Sequence, residues 1–272
     1  TNYKQIFDVI KQYNIHTIYH AAAYKHVPMV ELNVVSGVYN NVIGTFNVAK
    51  AAKELEVENM VLISTDKAVR PTNVMGASKR LSEFKLQAYA DQVSSTCFSM
   101  VRFGNVINSS GSVIPLFLDQ ISKGGPVTLT DKEVMRYFMT IPEASNLVIQ
   151  AGEMSLGGEV FILDMGEQMK VYDIARRLIH LSGRSIANTS GSEGIEIVEV
   201  GLRDGEKMFE ELLISGNEEK TSNSRIFKSN ESFVTHEELN EIINDISDAI
   251  IKNDTNKITE IMTKYVDGFK YE

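Results

Sequence analysis

The chain has 272 residues, long enough to bury a substantial core, and its 43% hydrophobic and 23% charged content is ordinary for a globular protein. Its net charge of −9 argues against nucleic-acid binding, which needs a basic face, and its single cysteine, Cys97, excludes an internal disulfide and argues against a zinc site. No apolar run approaches the roughly 20 residues that span a bilayer, and the first fourteen residues lack a signal-peptide core, so the expected location is cytoplasmic.

Taken in chain order, residues 6–13 read as a helix and residues 16–22 as a buried strand that ends in small side chains. Small residues at a strand end let either a flat ligand or another element approach the backbone, and the two readings stand side by side. Val38, Val42, Phe46, Val48, Ala49 and Ala52 make an apolar stripe that predicts a helix over 34–54. A strand at 60–64, a helix at 74–92 and a strand at 97–103 follow. This alternation implies parallel βαβ units and hence an α/β, doubly wound sheet.

After Gly111 the rhythm changes. A helix at 113–123 stops at Gly124-Gly125-Pro126, and a short strand follows it. Thr140 and Glu143 have capping-box spacing ahead of a further helix. Residues 159–164 read as a strand and 171–181 as a helix stopped by Gly183. Residues 185–194 form a polar loop, 195–201 an alternating strand, and 201–212 lead into a helix. The stretch 215–227 is polar and loop-like. Thr235 and Glu238 form another capping box before the stripe Leu239, Ile242, Ile243, Ile246 and Ile250, and a last helix covers 257–265. The expected division is 1–110 as the main α/β domain, 111–215 as a smaller α/β lobe, and 216–272 as a helical appendix.

The segment from Val61 to Arg80, VLISTDKAVRPTNVMGASKR, concentrates the chemistry. An apolar strand ends in Thr65-Asp66-Lys67, a turn passes Pro71, and a helix then carries Lys79 in its first turns. In open α/β sheets ligands bind beyond such strand ends. Together with HAAAYKHVPMVE before it and VRFGNVINSSGSVIP after it, this segment resembles the extended short-chain dehydrogenase/reductases. The closest likeness is to UDP-N-acetylglucosamine 4,6-dehydratases of capsule, lipopolysaccharide and glycan biosynthesis. The likeness covers residues 14–213.

The resemblance implies a Rossmann-like fold with a smaller substrate lobe, NAD as cofactor, a UDP-sugar substrate and a homo-oligomer. Asp66 would protonate the departing C6 hydroxyl, Lys67 would take the C5 proton, and Thr65 would bond the C4 oxygen. Lys79 would hold the nicotinamide ribose, with Ala21, Ala22 and Ala23 beside the dinucleotide. Lys25 and His26 either face the substrate or sit on a surface loop. Asn105, Arg136, Arg203 and Glu206 would contact the substrate's diphosphate and ribose. Against the chain's negative charge, Arg102, Arg136, Arg203 and Lys207 are the cations available to an anionic ligand.

Two departures from the family pattern matter. Met75 stands where most of the superfamily has a catalytic Tyr, four residues before Lys79. A thioether cannot relay the proton, so the C4 base is open among Thr65, a water and ionised Asp66. Members of the dehydratase family that carry membrane helices upstream also have Met there, which implies retention of C5 configuration. Second, no glycine-rich dinucleotide turn occurs near the start. The reading favoured is a fragment that begins before the family's fourth strand, with a binding-defective relative as the other. The alternatives to the dehydratase are a C5-inverting dehydratase, a nucleotide-sugar epimerase, or an inactive scaffold or regulatory fragment.

Overall fold

The computed structural model describes residues 1–92, 95–187, 193–211, 218–229 and 231–271. Contacts divide the chain into two compact units. The first comprises Thr1–Phe103, Asn146–Asp164 and Glu211–Glu272, the second Gly104–Ser145 and Met165–Glu210. This division differs from the expected one. The C-terminal helices belong to the first unit, because their apolar stripe is part of its core.

Helix α1 (Tyr3–Gln12) is capped by Asn2, whose side chain accepts from the Gln5 N–H, and leads into β1 (Thr17–His20). A short α2 (Val27–Glu31) with proline in its first turn was not expected from the sequence. The stretch expected to be one helix is continuous but has three parts: α3 (Val34–Val38), a π-helical turn (Tyr39–Ile43) and α4 (Gly44–Glu54). The Asn41 carbonyl in the wide turn accepts from Thr45 Oγ1 at 2.7 Å and Ser82 Oγ at 2.9 Å, so the irregular turn is locked by side chains. Then come β2 (Asn59–Ile63), a 3-10 turn (Asp66–Ala68), α5 (Val74–Ala90) and β3 (Cys97–Arg102).

The chain continues through β4 (Asn105–Val106), α6 (Val113–Ser122), β5 (Val127–Leu129), β6 (Met135–Arg136), β7 (Phe138–Met139) and α7 (Ile141–Glu153). Next are β8 (Val160–Leu163), β9 (Met169–Lys170), α8 (Val171–Leu181) and β10 (Ile197–Glu199). It ends with β11 (Glu218–Lys220), β12 (Ile226–Ser229), α9 (His236–Ile251) and α10 (Thr255–Tyr265). Both expected capping boxes form, at Thr140 with Glu143 and at Thr235 with Glu238.

The first unit is built on a six-stranded sheet in the order β1-β2-β3-β8-β12-β11, with β1, β2, β3 and β8 parallel and β12 and β11 antiparallel. One side of its core joins Ala49, Ala52, Leu62, Leu86, Phe98 and Val160. Another joins Val38, Val42, Met75 and Leu81 to Leu239, Ile242, Ile246 and Met262. The second unit packs α6 and α8 around Phe117, Ile121, Val127, Leu129 and Ile179, with β5 and β10 paired in parallel.

Two expectations need correction. Residues 201–211 form turns, not the start of a helix, with Gly205 at φ 72, and 212 lies outside the described residues. The stretch 215–227, expected to be a polar loop, contains β11 and the start of β12. β11 is an exposed edge strand of Glu218-Glu219-Lys220, the charged composition by which sheets protect an edge, and that composition masked its conformation in the sequence.

Candidate active site

Beyond Ile63 the chain keeps its parallel pairing: the Ser64 N–H bonds the Val101 carbonyl at 2.8 Å and the Asp66 N–H bonds the Phe103 carbonyl at 3.2 Å. The backbone then tightens into the 3-10 turn, which Thr65 caps by accepting from the Lys67 N–H. Asp66 is thereby drawn inward and is 1% exposed. Its Oδ1 accepts from Thr65 Oγ1 at 2.8 Å and from Lys67 Nζ at 3.0 Å, while Oδ2 is buried and accepts no hydrogen bond from the described residues. The Lys67 side chain keeps 19% of its surface open. The structure thus brings Thr65, Asp66 and Lys67 together as one hydrogen-bonded group.

Helix α5 closes against this turn. Asn73 caps it by accepting from the Gly76 N–H at 2.8 Å, and a Cβ at Gly76 would stand 2.2 Å from the Lys67 carbonyl oxygen. Only glycine lets the helix come that near. Met75 points into the apolar core beside Val34 and Val38, at 3% exposure, so it fills space there. Lys79 is buried and donates to the Ile63 carbonyl at 2.7 Å, which ties α5 to the tip of β2. Loss of hydration lowers its pKa to about 8, although Glu83 one turn on partly offsets this.

Behind these groups lies a polar network that the sequence did not reveal. His20 Nε2 lies 3.0 Å from Thr45 Oγ1, whose proton goes to the Asn41 carbonyl, so the imidazole donates from Nε2. Burial, and then the charge of Lys79, lower its pKa to about 4. The Asn41 amide spans the Tyr24 N–H at 2.7 Å, the Tyr24 carbonyl at 3.0 Å and Ser78 Oγ at 3.0 Å. It fixes the loop that carries Ala21, Ala22 and Ala23 to the helix that carries Lys79. Ala21 and Ala22 are exposed, at the end of an apolar groove that also includes Ile6, Val9, Ile18 and Val48. Lys25 and His26 are exposed on the loop that follows.

The cations expected to meet an anionic ligand divide. Arg102 is fully buried in ion pairs with Glu83 and Glu231, which corrects its reading as a ligand contact. In the second unit Arg136 is also buried, donating to Glu206 at 2.9 Å and to the carbonyls of Met135 and Met208. Glu206 also accepts from Thr130 Oγ1 and takes a long contact, 3.4 Å, from the Arg203 N–H. Arg203 is exposed, and Asn105 and Lys207 are half-buried. Among the described residues no group of acidic, His and Cys side chains could hold a metal, and no helix is long and apolar enough to cross a membrane.

The parallel sheet, with the strand-end Thr-Asp-Lys group beside a buried lysine, defines a Rossmann-like α/β protein. A family model described as "Polysaccharide biosynthesis protein" matches residues 1–231, and the chain belongs to that family. It is 54% identical over 212 residues to the capsular polysaccharide biosynthesis protein CapD of Staphylococcus aureus, covering 78% of this chain and 34% of CapD. It is 36% identical to a UDP-glucose 4-epimerase of Rickettsia canadensis, covering 79% of this chain and 60% of that protein. Among solved structures, Pen from Bacillus thuringiensis superimposes with a TM-score of 0.75 at 35% identity, covering 90% of this chain and 79% of Pen. The chain spans about a third of the length of its capsular relative.

Proposed function

We propose that this chain carries the elimination chemistry of a nucleotide-sugar 4,6-dehydratase acting on UDP-N-acetylglucosamine, with retention at C5. The observation that carries the reading is the part-buried Asp66–Lys67 contact of 3.0 Å, beside a buried carboxylate oxygen that accepts no hydrogen bond from the described residues. Eliminating water across C5 and C6 needs a base for the C5 proton and an acid for the C6 hydroxyl. Asp starts near 3.9 and Lys near 10.4, so each looks wrongly tuned by itself. As a pair they hold the same number of protons whether written Asp⁻/Lys⁺ or AspH/Lys⁰, and exclusion of water penalises the ionic form. Transfer of one proton along the existing hydrogen bond converts the pair to a neutral lysine that accepts from C5 and an acid that donates from Asp66. The C6 hydroxyl leaves as water. Thr65 would hold the C4 oxygen.

The small residues at the end of β1 and the buried Lys79 fit the nicotinamide ribose of NAD, the cofactor named for several solved structures of this fold. NAD when bound supplies a reversible hydride acceptor. Ala21 and Ala22 offer a surface that a flat ring can approach, and Lys79 offers a cation beside it. For the second unit, motif match assigns Asn105 to the diphosphate and Arg203 and Glu206 to the ribose and phosphate of UDP, with Arg136 as a further phosphate candidate and a cytoplasmic setting and a homo-oligomer as further parts of the proposal.

A nucleotide-sugar 4-epimerase is the second reading, favoured by the Rickettsia relatives. Incubating the full-length protein with UDP-N-acetylglucosamine separates the two. A product lighter by one water supports the dehydratase, and a C4 epimer of unchanged mass supports the other.

A further inference from the structure

We propose that Glu83 is a positioning residue of this site, holding the tip of β2 and the Lys79 turn of α5 in fixed register through Ser64, inside a frame made by Arg80, Arg102 and Glu231. The inference rests on the dehydratase reading for its kinetic consequences, and on geometry for the rest.

Glu83 is fully buried, and both its oxygens are saturated. Oε1 accepts from Ser64 Oγ at 2.6 Å and Arg102 Nε at 2.8 Å, and Oε2 accepts from Arg102 Nη2 at 2.6 Å and Arg80 Nη1 at 2.9 Å. The far side of the two guanidiniums is closed by Glu231, which accepts from Arg102 Nη2 at 2.9 Å and pairs with Arg80 Nη2 at 3.0 Å. Arg80 also donates to the Ser232 carbonyl at 2.9 Å. Two arginines and two glutamates make the cluster neutral.

A buried ionic cluster of this kind is seldom more stabilising than apolar packing of the same volume, so stability alone does not account for it. Its directionality does. The carbonyl of Ile63 receives Lys79, and the hydroxyl of the next residue, Ser64, reaches Glu83 one helical turn further on. Two bonds spaced a turn apart resist both sliding and rotation of α5 against β2. The residues that follow Ser64 are Thr65, Asp66 and Lys67. Small displacements there are costly, since misplacing reacting groups by about 1 Å costs on the order of a hundred-fold in rate. Glu83 also supplies the negative charge that partly offsets the desolvation of Lys79.

The test uses the full-length protein with Ser64→Ala, Ser64→Thr, Glu83→Gln and Glu231→Gln. Ser64→Ala, which leaves every charge in place, lowers kcat about ten-fold with KM within about two-fold, and Ser64→Thr restores it. Glu83→Gln moves the alkaline limb of the pH-rate profile down by about one unit, because Lys79 loses the charge that helps retain its proton. Glu231→Gln removes a carboxylate from the same cluster without touching Ser64, so it lowers the melting temperature and leaves that limb in place. Trace labelling of Lys79 with acetic anhydride across pH, read by mass spectrometry, repeats the Glu83→Gln comparison without any turnover. Unchanged kcat in Ser64→Ala, or an unchanged labelling profile in Glu83→Gln, overturns the inference. A wild type that loses no water from the sugar overturns the dehydratase reading instead, and the labelling result still decides the role of Glu83.

Discussion

At the residue scale, the proposed chemistry depends on Asp66, whose buried Oδ2 accepts no hydrogen bond from the described residues. Asp66→Asn keeps the shape of the side chain and its contacts with Thr65 and Lys67 but removes the exchangeable proton. Its expected effect is a fall in kcat of about a thousand-fold with substrate affinity little changed, measured by steady-state turnover alongside a binding titration. A pH-rate profile identical to that of the wild type would remove Asp66 from the chemistry. Gly76→Ala tests the neighbouring helix from the other side. The added methyl would meet the Lys67 carbonyl at 2.2 Å, so either the turn or the helix must shift. Activity should fall at least ten-fold while circular dichroism at room temperature stays native, since the clash is confined to one turn.

At the scale of elements, the helices α9 and α10 complete the core around α3, α5 and the π-helical turn. Ile242 on α9 is 1% exposed there, and Ile242→Ala should cost about 3 kcal/mol in a denaturant titration. The link between β1 and α4 gives a pH signature. The folded pKa of His20 is lowered from 6.5 to about 4, so between these values the unfolded chain binds more protons than the folded one. Stability therefore drops as pH falls from 6.5 toward 4, by up to about 3 kcal/mol. His20→Gln, which can still donate to Thr45, should flatten that window in acid unfolding curves. Glu83 acts lower. Its arginine partners outweigh burial and hold it near 2, so its contribution is present above 4.5 and disappears as pH approaches 2.

These examples also mark what the sequence makes legible. Helix periods and strand runs located β2, α5, β3 and α8 within a few residues, because apolar spacing and caps are local properties. The Thr65-Asp66-Lys67 group was legible for the same reason: its members are neighbours in the chain. Glu83, Arg102 and Glu231 were not, because their pairing depends on which faces meet across 19 and 129 residues of sequence. Arg102 accordingly read as a cation for ligands, when its charge is spent inside the fold. Asn41 gave no signal either, as a polar residue within a helical stripe reads as solvent-facing until the π-helical turn rotates it inward.

At the scale of the whole molecule, the proposed reaction is elimination of one water from a UDP-hexosamine, its proton taken from C5 and its hydroxyl from C6. Family membership makes polysaccharide biosynthesis the field of the question, and the Asp66–Lys67 pair is the ground for proposing a dehydratase within it. An epimerase has no use for an acid and a base across C5 and C6. The deciding measurement is turnover of UDP-N-acetylglucosamine by the full-length protein in deuterated water, with the product read by mass spectrometry and proton NMR. The expected product has lost one water and carries deuterium at C5. A C4 epimer with its C5 hydrogen retained would contradict the account.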